Sequence, residues 1–377
     1  YTQIITKVNQ NVIELYGTSF VGSIDNVSVK EYTANNLARV DYDGTASSLL
    51  VEPMRTNDFT QSNDFANVYW GKNSTGIDTS IGTDGIQSNT STSPDGTINA
   101  DRVNFLVQSD KDLGLGVQVP SSAGVTHSCS VWLKGEGSNI GKDIIIRVKR
   151  SSGGSYVAVN KTVTLTSIWQ RTEVEPLTLI TDNIGVRTIL SSNDATNCLI
   201  YGAQLEVGSY ATSYIPTDGG TVTRIKDEYS KTGISNLINS EEGVLFVDWK
   251  PKLSSDYSFI SINNGSITDS VIIGKSNNTT NMFIAVRSSS VYQALYTSGV
   301  YDFTIFNKVA VKWKLNDISV WINGTEATNW SSGSSPVGLS KLSFDFGNGT
   351  ENFFGKVKQL QVFKTALTDT ELATLTT

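Results

Sequence analysis

The sequence predicts an all-β chain of antiparallel β-sandwiches in tandem, closed by one short C-terminal helix. Three observations carry that prediction. Short runs rich in Val, Ile, Thr, Tyr and Trp recur between clusters of Ser, Asn, Asp and Gly, which is strand and turn chemistry. Only 17% of the 377 residues are charged while 32 are Gly, a balance that favours short strands and many turns. The length gives room for two or three domains, and the strand candidates fall into separate blocks.

Taken in order, FVGSIDNVSVKEY (20–32) pairs a Phe-x-Gly-x-Ile opening with a period-2 apolar pattern that returns in FFGKVKQLQVFKT (353–365). Each stretch is expected to close a sandwich, with Val27 and Val29, or Leu360 and Val362, on one face. Residues 1–32 hold too few strands to bury a core alone and are expected to complete a preceding module. Residues 33–58 form an expected connector with one short apolar segment, Leu49 to Val51. From 59 to 215 the strand candidates are SCSVWLKG (128–135), DIIIRVKR (143–150), SYVAVNKTVTLT (155–166), WQRTEVEPLTL (169–179), GVRTIL (185–190) and NCLIYGAQLEV (197–207). Their spacing indicates a sandwich or jelly roll. A linker, 216–239, follows with Pro, paired Gly and mixed charges.

The last domain, 240–377, begins with GVLFVDWKP. In KVAVKWK, Val309, Val311 and Trp313 share a face that packs, while Lys308, Ala310, Lys312 and Lys314 share a face expected to be wet. Asn323-Gly324 after an alternating strand is a hairpin signal, because both residues reach positive φ readily. Thr368 and Glu371 make a capping box for the terminal helix, with Leu367, Leu372 and Leu375 as its apolar stripe.

Composition removes several function classes. The formal charge of −7 disfavours a nucleic-acid binder, which must neutralise phosphates. A single histidine, His127, excludes chemistry that needs two imidazoles, and two cysteines, Cys129 and Cys198, are too few for a zinc site or a disulfide framework, leaving one bridge or two buried thiols. No apolar run approaches a membrane-spanning length, so no membrane insertion is expected. The chain opens at Tyr1 without an initiator Met, read as a cut start. The paired carboxylates of a sandwich-fold glucanase, Glu-x-Asp-x-x-Glu, are absent. Glu173 and Glu175 share a strand face but end at Pro176, which fits a charged edge strand. GEGSNIGKD (135–143) lacks the spacing of a phosphate loop and reads as a hairpin loop.

Resemblance adds to this reading. GVLFVDWKP, VAVKWKLNDISVWINGTE and FDFGNGTENFFGKVKQLQVFKTALTDTEL resemble a concanavalin A-like (laminin-G-like) sandwich. LLVEPMRTNDFTQSNDFANVYWGK, SCSVWLKG and IYGAQLEVGSYATSYIPTDGGTVTR resemble the jelly-roll, carbohydrate-binding-module-like domain of tailed-bacteriophage structural proteins. The order Arg-x-Asp-Tyr, LLxEPxRTN, YGAQLE, SYIPT and then the laminin-G-like domain resembles that of phage fibre or tail-type virion proteins over residues 36–377, with Bacteroidetes-like hosts the expectation. The resemblance implies a non-enzymatic fibre or spike that is assembled in the bacterial cytoplasm, extracellular when mature, homotrimeric, and partnered by host-surface glycans and other virion proteins. Two alternatives stay open: an architectural or capsid-decorating protein that binds no sugar, and an accessory region of a secreted polysaccharide-degrading enzyme.

Sugars stack on exposed aromatic rings, so candidate glycan contacts are Trp330, in the polar stretch ATNWSSGSSP, and Tyr292, Tyr296 and Tyr301 in SVYQALYTSGVYDF. The remaining tryptophans before Trp330 lie in strand patterns and are expected in cores. No cofactor is expected unless it is calcium, which laminin-G-like domains often hold, and Asp345 is the first ligand to test.

Overall fold

The computed structural model describes residues 38–377 apart from 44–45, 108–109, 151–157, 180–185, 193, 255 and 278–279. The closing strands expected in 1–32 lie outside the described residues. Two antiparallel sandwiches follow one another, with one short helix at Asp369–Thr376.

The first sandwich packs two five-stranded sheets. One runs, in spatial order, Ala158–Thr164, Asp143–Arg150, Val186–Ser192, Leu115–Val119 and Gly71–Lys72; the other runs Gln170–Thr178, Thr126–Lys134, Asn197–Val207, Ile98–Asn104 and Ile86–Thr92. Period-2 side chains from both, including Val131, Leu133, Ile144, Ile146 and Ile200, meet in one core with Phe59, Phe65 and Trp70. Cys129 and Cys198 belong to that core as free thiols. His127 is buried, with Nε2 3.2 Å from Ser121 Oγ. The loop 135–142 is not a hairpin: Thr126–Lys134 and Asp143–Arg150 lie in different sheets, so it crosses over the sandwich edge.

The second sandwich packs seven strands against six. The seven run Arg39–Asp43, Ala46–Val51, Gly355–Phe363, Glu242–Pro251, Asn307–Lys314, Ile318–Ile322 and Thr325–Trp330; the six run Ser230–Lys231, Lys341–Ser343, Ser258–Asn263, Ser270–Lys275, Met282–Ser288 and Val291–Tyr296. The stretch read as a connector therefore supplies two strands: Leu49, Leu50 and Val51 pair with Val357, Lys356 and Gly355. The expected linker is likewise tied down. Val222–Arg224 pairs with Arg55–Asn57, and Ser230–Lys231 pairs with Lys341–Ser343.

The Asn323-Gly324 hairpin forms with φ of 49° and 83°, and the capping box at Thr368 and Glu371 is complete. One expectation fails in an instructive way. The second face of KVAVKWK is wet only at its ends: Lys314 is exposed and Lys308 half-buried, while the terminal helix lies over the middle and buries Ala310 with Val244, Phe246 and Leu372. Lys312 is buried there as well, with Nζ 2.8 Å from Asp317. Trp70, Trp249, Trp313 and Trp321 are buried, whereas Trp132 and Trp169 are half-buried. Among the described residues no helix is long and apolar enough to cross a membrane.

Candidate functional site

The motif residues meet at the junction of the two sandwiches. Arg39, from the Arg-x-Asp-Tyr segment, donates through Nη1 to Glu52 at 2.6 Å and through Nη2 to Asp227. Glu52, from the LLVEP segment, accepts the Ser213 N–H at 2.8 Å and lies 3.2 Å from Arg224 Nη2. Asn57, at the end of RTN, donates to the carbonyls of Ala203 and Ile215 at 3.1 and 2.9 Å and accepts the Leu205 N–H at 3.1 Å. Gln204 accepts the Ile215 N–H at 2.6 Å, and Glu206 accepts the Thr212 N–H at 2.7 Å. The polar residues here are buried or half-buried, and Arg39, Glu52 and Asn57 find their partners in segments distant in sequence, the behaviour of a structural joint.

Beside this joint opens a cleft of about 290 Å³ between the sandwiches, lined by Arg171, Glu173, Tyr210, Thr212, Lys250 and Lys252 among others. Its volume is at the lower end of ligand pockets, roughly 300–1,000 Å³. The strand Gln170–Thr178 brings Arg171 and Glu173 to one wall, and the end of Glu242–Pro251 brings Lys250 and Lys252 to the other. Arg171 Nη2 donates to Ser130 Oγ at 2.9 Å and to the Thr212 carbonyl at 2.6 Å. Lys252 Nζ rests 3.9 Å from the centroid of the Tyr210 ring, a cation–π contact. Burial lowers the pKa of both Arg171 and Lys252, as expected of cations taken out of water.

Arg171, Lys250 and Lys252 have no carboxylate oxygen within 4.0 Å among the described residues. The carboxylates of the cleft are differently placed: Asp41 is paired with Lys356, Glu52 with Arg39 and Arg224, and Glu173 is in no ion pair within 4.0 Å among the described residues but is the strongest favourable charge on both Arg171 and Lys252. The cleft thus offers cationic donors and one carboxylate, Glu173, that no cation of the described residues holds at ion-pair distance. Sequence reading missed this site because its walls come from six separate segments. The one local signal was Lys-Pro-Lys (250–252) at the end of an otherwise apolar strand.

The tyrosines fall at an edge of the second sandwich. Tyr292 is 43% exposed on the edge strand Val291–Tyr296, with the Arg287 guanidinium 4.8 Å from its ring centroid. Tyr296 and Tyr301 are half-buried against the core, and their hydroxyls are 2.7 Å apart. Burial, then the bond to Tyr296, pushes the Tyr301 phenol above its ordinary pKa. Trp330 does not stand in a polar loop. It ends the strand Thr325–Trp330, pairs with Ile318 and packs half-buried on the core. The two edge strands are neighbours, since the Ser334 N–H, just past Trp330, donates to Gln293 at 2.9 Å. Of the four aromatics, Tyr292 presents the most open ring.

Asp345 is buried, and its Oδ1 accepts the Gly347 N–H at 2.5 Å. No group of three or more His, Cys, Asp or Glu residues that could hold a metal occurs among the described residues.

No protein-family model and no curated protein matches the chain. Among solved structures it is similar to the native heptameric SAP-like pentraxin from Limulus polyphemus, at 14% identity and TM-score 0.33 over 40% of this chain and 76% of that one. It is also similar to domains LG4-5 of the mouse laminin α1 chain, at 9% identity and TM-score 0.26 over 70% and 95%. The tandem CBM22-1–CBM22-2 domain of Paenibacillus barcinonensis Xyn10C is similar at 11% identity and TM-score 0.30 over 89% and 100%.

Proposed function

We propose that the chain is a non-catalytic glycan-binding protein whose ligand seats in the cleft between the two sandwiches. The observation that carries the proposal is the cleft itself: polar donors on both walls and the exposed Glu173 as an acceptor, which together match the hydroxyl-rich surface of a sugar. The ordered motif set supports a setting on a tailed-phage virion, as a trimeric fibre or spike that contacts host-surface glycans and other virion proteins. Tyr292 is the second place where a sugar ring has room to stack.

One observation favours a purely architectural virion protein instead. The motif residues Arg39, Glu52 and Asn57 are engaged by the joint's own hydrogen bonds. The two readings separate by adsorption of the whole chain to a glycan array and to host cells, beside Lys252→Gln and Tyr292→Ala. Saturable binding that Lys252→Gln weakens supports the cleft; loss only with Tyr292→Ala moves the site to the edge. No saturable binding by the folded chain leaves the architectural reading.

A further inference from the structure

We infer that the cleft takes an acidic sugar, one whose carboxylate sits among Arg171, Lys250 and Lys252; this rests on the glycan reading of the same site. Cations without a carboxylate partner are costly where water is partly excluded, and a ligand anion offsets that cost with charge-assisted hydrogen bonds. Arg171 is already oriented by Ser130 Oγ and the Thr212 carbonyl, and Lys252 by the Tyr210 ring, so little side-chain entropy remains to be lost on binding. Tyr210 acts here as a positioning residue.

The exposed carboxylate of Glu173, which no cation of the described residues holds at ion-pair distance, distinguishes a sugar acid from a plain anion. It lines the same cavity as the three cations. A small inorganic anion would meet repulsion from it, whereas a uronate brings a carboxylate for the cations and hydroxyls for Glu173 to accept. The other acidic residues of the cleft, Asp41 and Glu52, are held at ion-pair distance by Lys356 and by Arg39 with Arg224, and Glu52 reaches Lys252 and Arg171 only as a more distant charge.

The test is calorimetric titration of the full chain with glucuronate and galacturonate oligosaccharides, their neutral counterparts of equal length, and inorganic sulfate. The acidic oligosaccharides are expected to bind about tenfold or more tightly than the neutral ones. Lys252→Gln is expected to remove most of that difference and Lys252→Arg to keep it, with unchanged thermal unfolding showing that both variants fold. Glu173→Gln should weaken the acidic sugar while strengthening sulfate. Equal affinity for neutral and acidic sugars, with cleft variants reducing both, would overturn the acidic ligand and leave the glycan site standing. Sulfate binding without uronate binding would overturn both the acidic sugar and the hydroxyl role of Glu173. Binding of nothing would overturn this inference together with the glycan reading.

Discussion

The Glu52 carboxylate accepts the Ser213 N–H at 2.8 Å across 161 positions of chain. The same carboxylate faces Arg39 and Arg224, so one side chain ties the Arg39–Val51 hairpin, the exit of the first sandwich and the strand Val222–Arg224. That knot explains why the LLVEP and SYIPT motifs occur together: each supplies partners the other leaves unsatisfied.

Glu52→Ala should destabilise the chain by about 2–3 kcal/mol, because it leaves the Arg224 guanidinium and the Ser213 N–H without their carboxylate acceptor while Arg39 keeps Asp227. Urea unfolding followed by tryptophan fluorescence is the measurement. A lower midpoint is expected, with the transition broadening as the sandwiches lose their common tie. A shift worth less than about 0.5 kcal/mol would show that the knot contributes only surface-like pairing.

Lys275 is fully buried and donates to the carbonyls of Ser254, Asp256 and Ser276 at 2.8, 2.5 and 2.9 Å. Lys275→Met keeps much of the volume but leaves those carbonyls without their donor. A loss of about 2–3 kcal/mol is expected, checked by thermal unfolding and by faster proteolysis of the 252–257 loop. An unchanged midpoint would mean water replaces the ammonium without cost.

Burial pushes Asp58 and Asp101 up to about 6. An acid whose folded pKa is raised contributes stability that is fully present below its unfolded value, near 4, and is lost as pH rises through about 6. His127 acts in the opposite sense, since burial lowers its pKa and stability is lost as pH falls below its unfolded value of about 6.5. The comparison with Asp58→Asn isolates the aspartate. The variant should be the more stable at pH 7.5 and lose that advantage by pH 5, by about 1 kcal/mol or less because Asp58 is half-buried. Parallel pH profiles would contradict the shift.

Cys129 and Cys198 are free and buried, and burial pushes the Cys129 thiol up to about 12. Neither should react with iodoacetamide in the folded chain, and both should react in denaturant without a reductant. Mass spectrometry reads the result directly; one labelled cysteine in the native state would place that thiol outside the core.

The strands most legible in the sequence are those whose buried run lies within a single segment. NCLIYGAQLEV matches Asn197–Val207 residue for residue, and Asn323-Gly324 turns as its chemistry requires. Ile86–Thr92 went unread because it is an edge strand with one buried apolar residue, Ile86. The Ala46–Val51 strand was read as connector because its partner, Gly355–Phe363, lies at the other end of the chain. Ala310 was read as wet because nothing local says that a distant helix will cover it. The cleft was illegible for the same reason, since Arg171, Tyr210 and Lys252 become neighbours only through the joint.

The pairing of Ala46–Val51 with Gly355–Phe363 also means that residues 240–377 alone would expose a strand edge, so the whole chain is the proper object for binding work. Hydrogen exchange of that chain, with and without a saturating acidic oligosaccharide, tests the central claim most directly. The account predicts ligand-dependent protection confined to 171–173, 210–213 and 250–252, with none at 291–296. Protection at 291–296 alone, or none anywhere under saturating ligand, would contradict it.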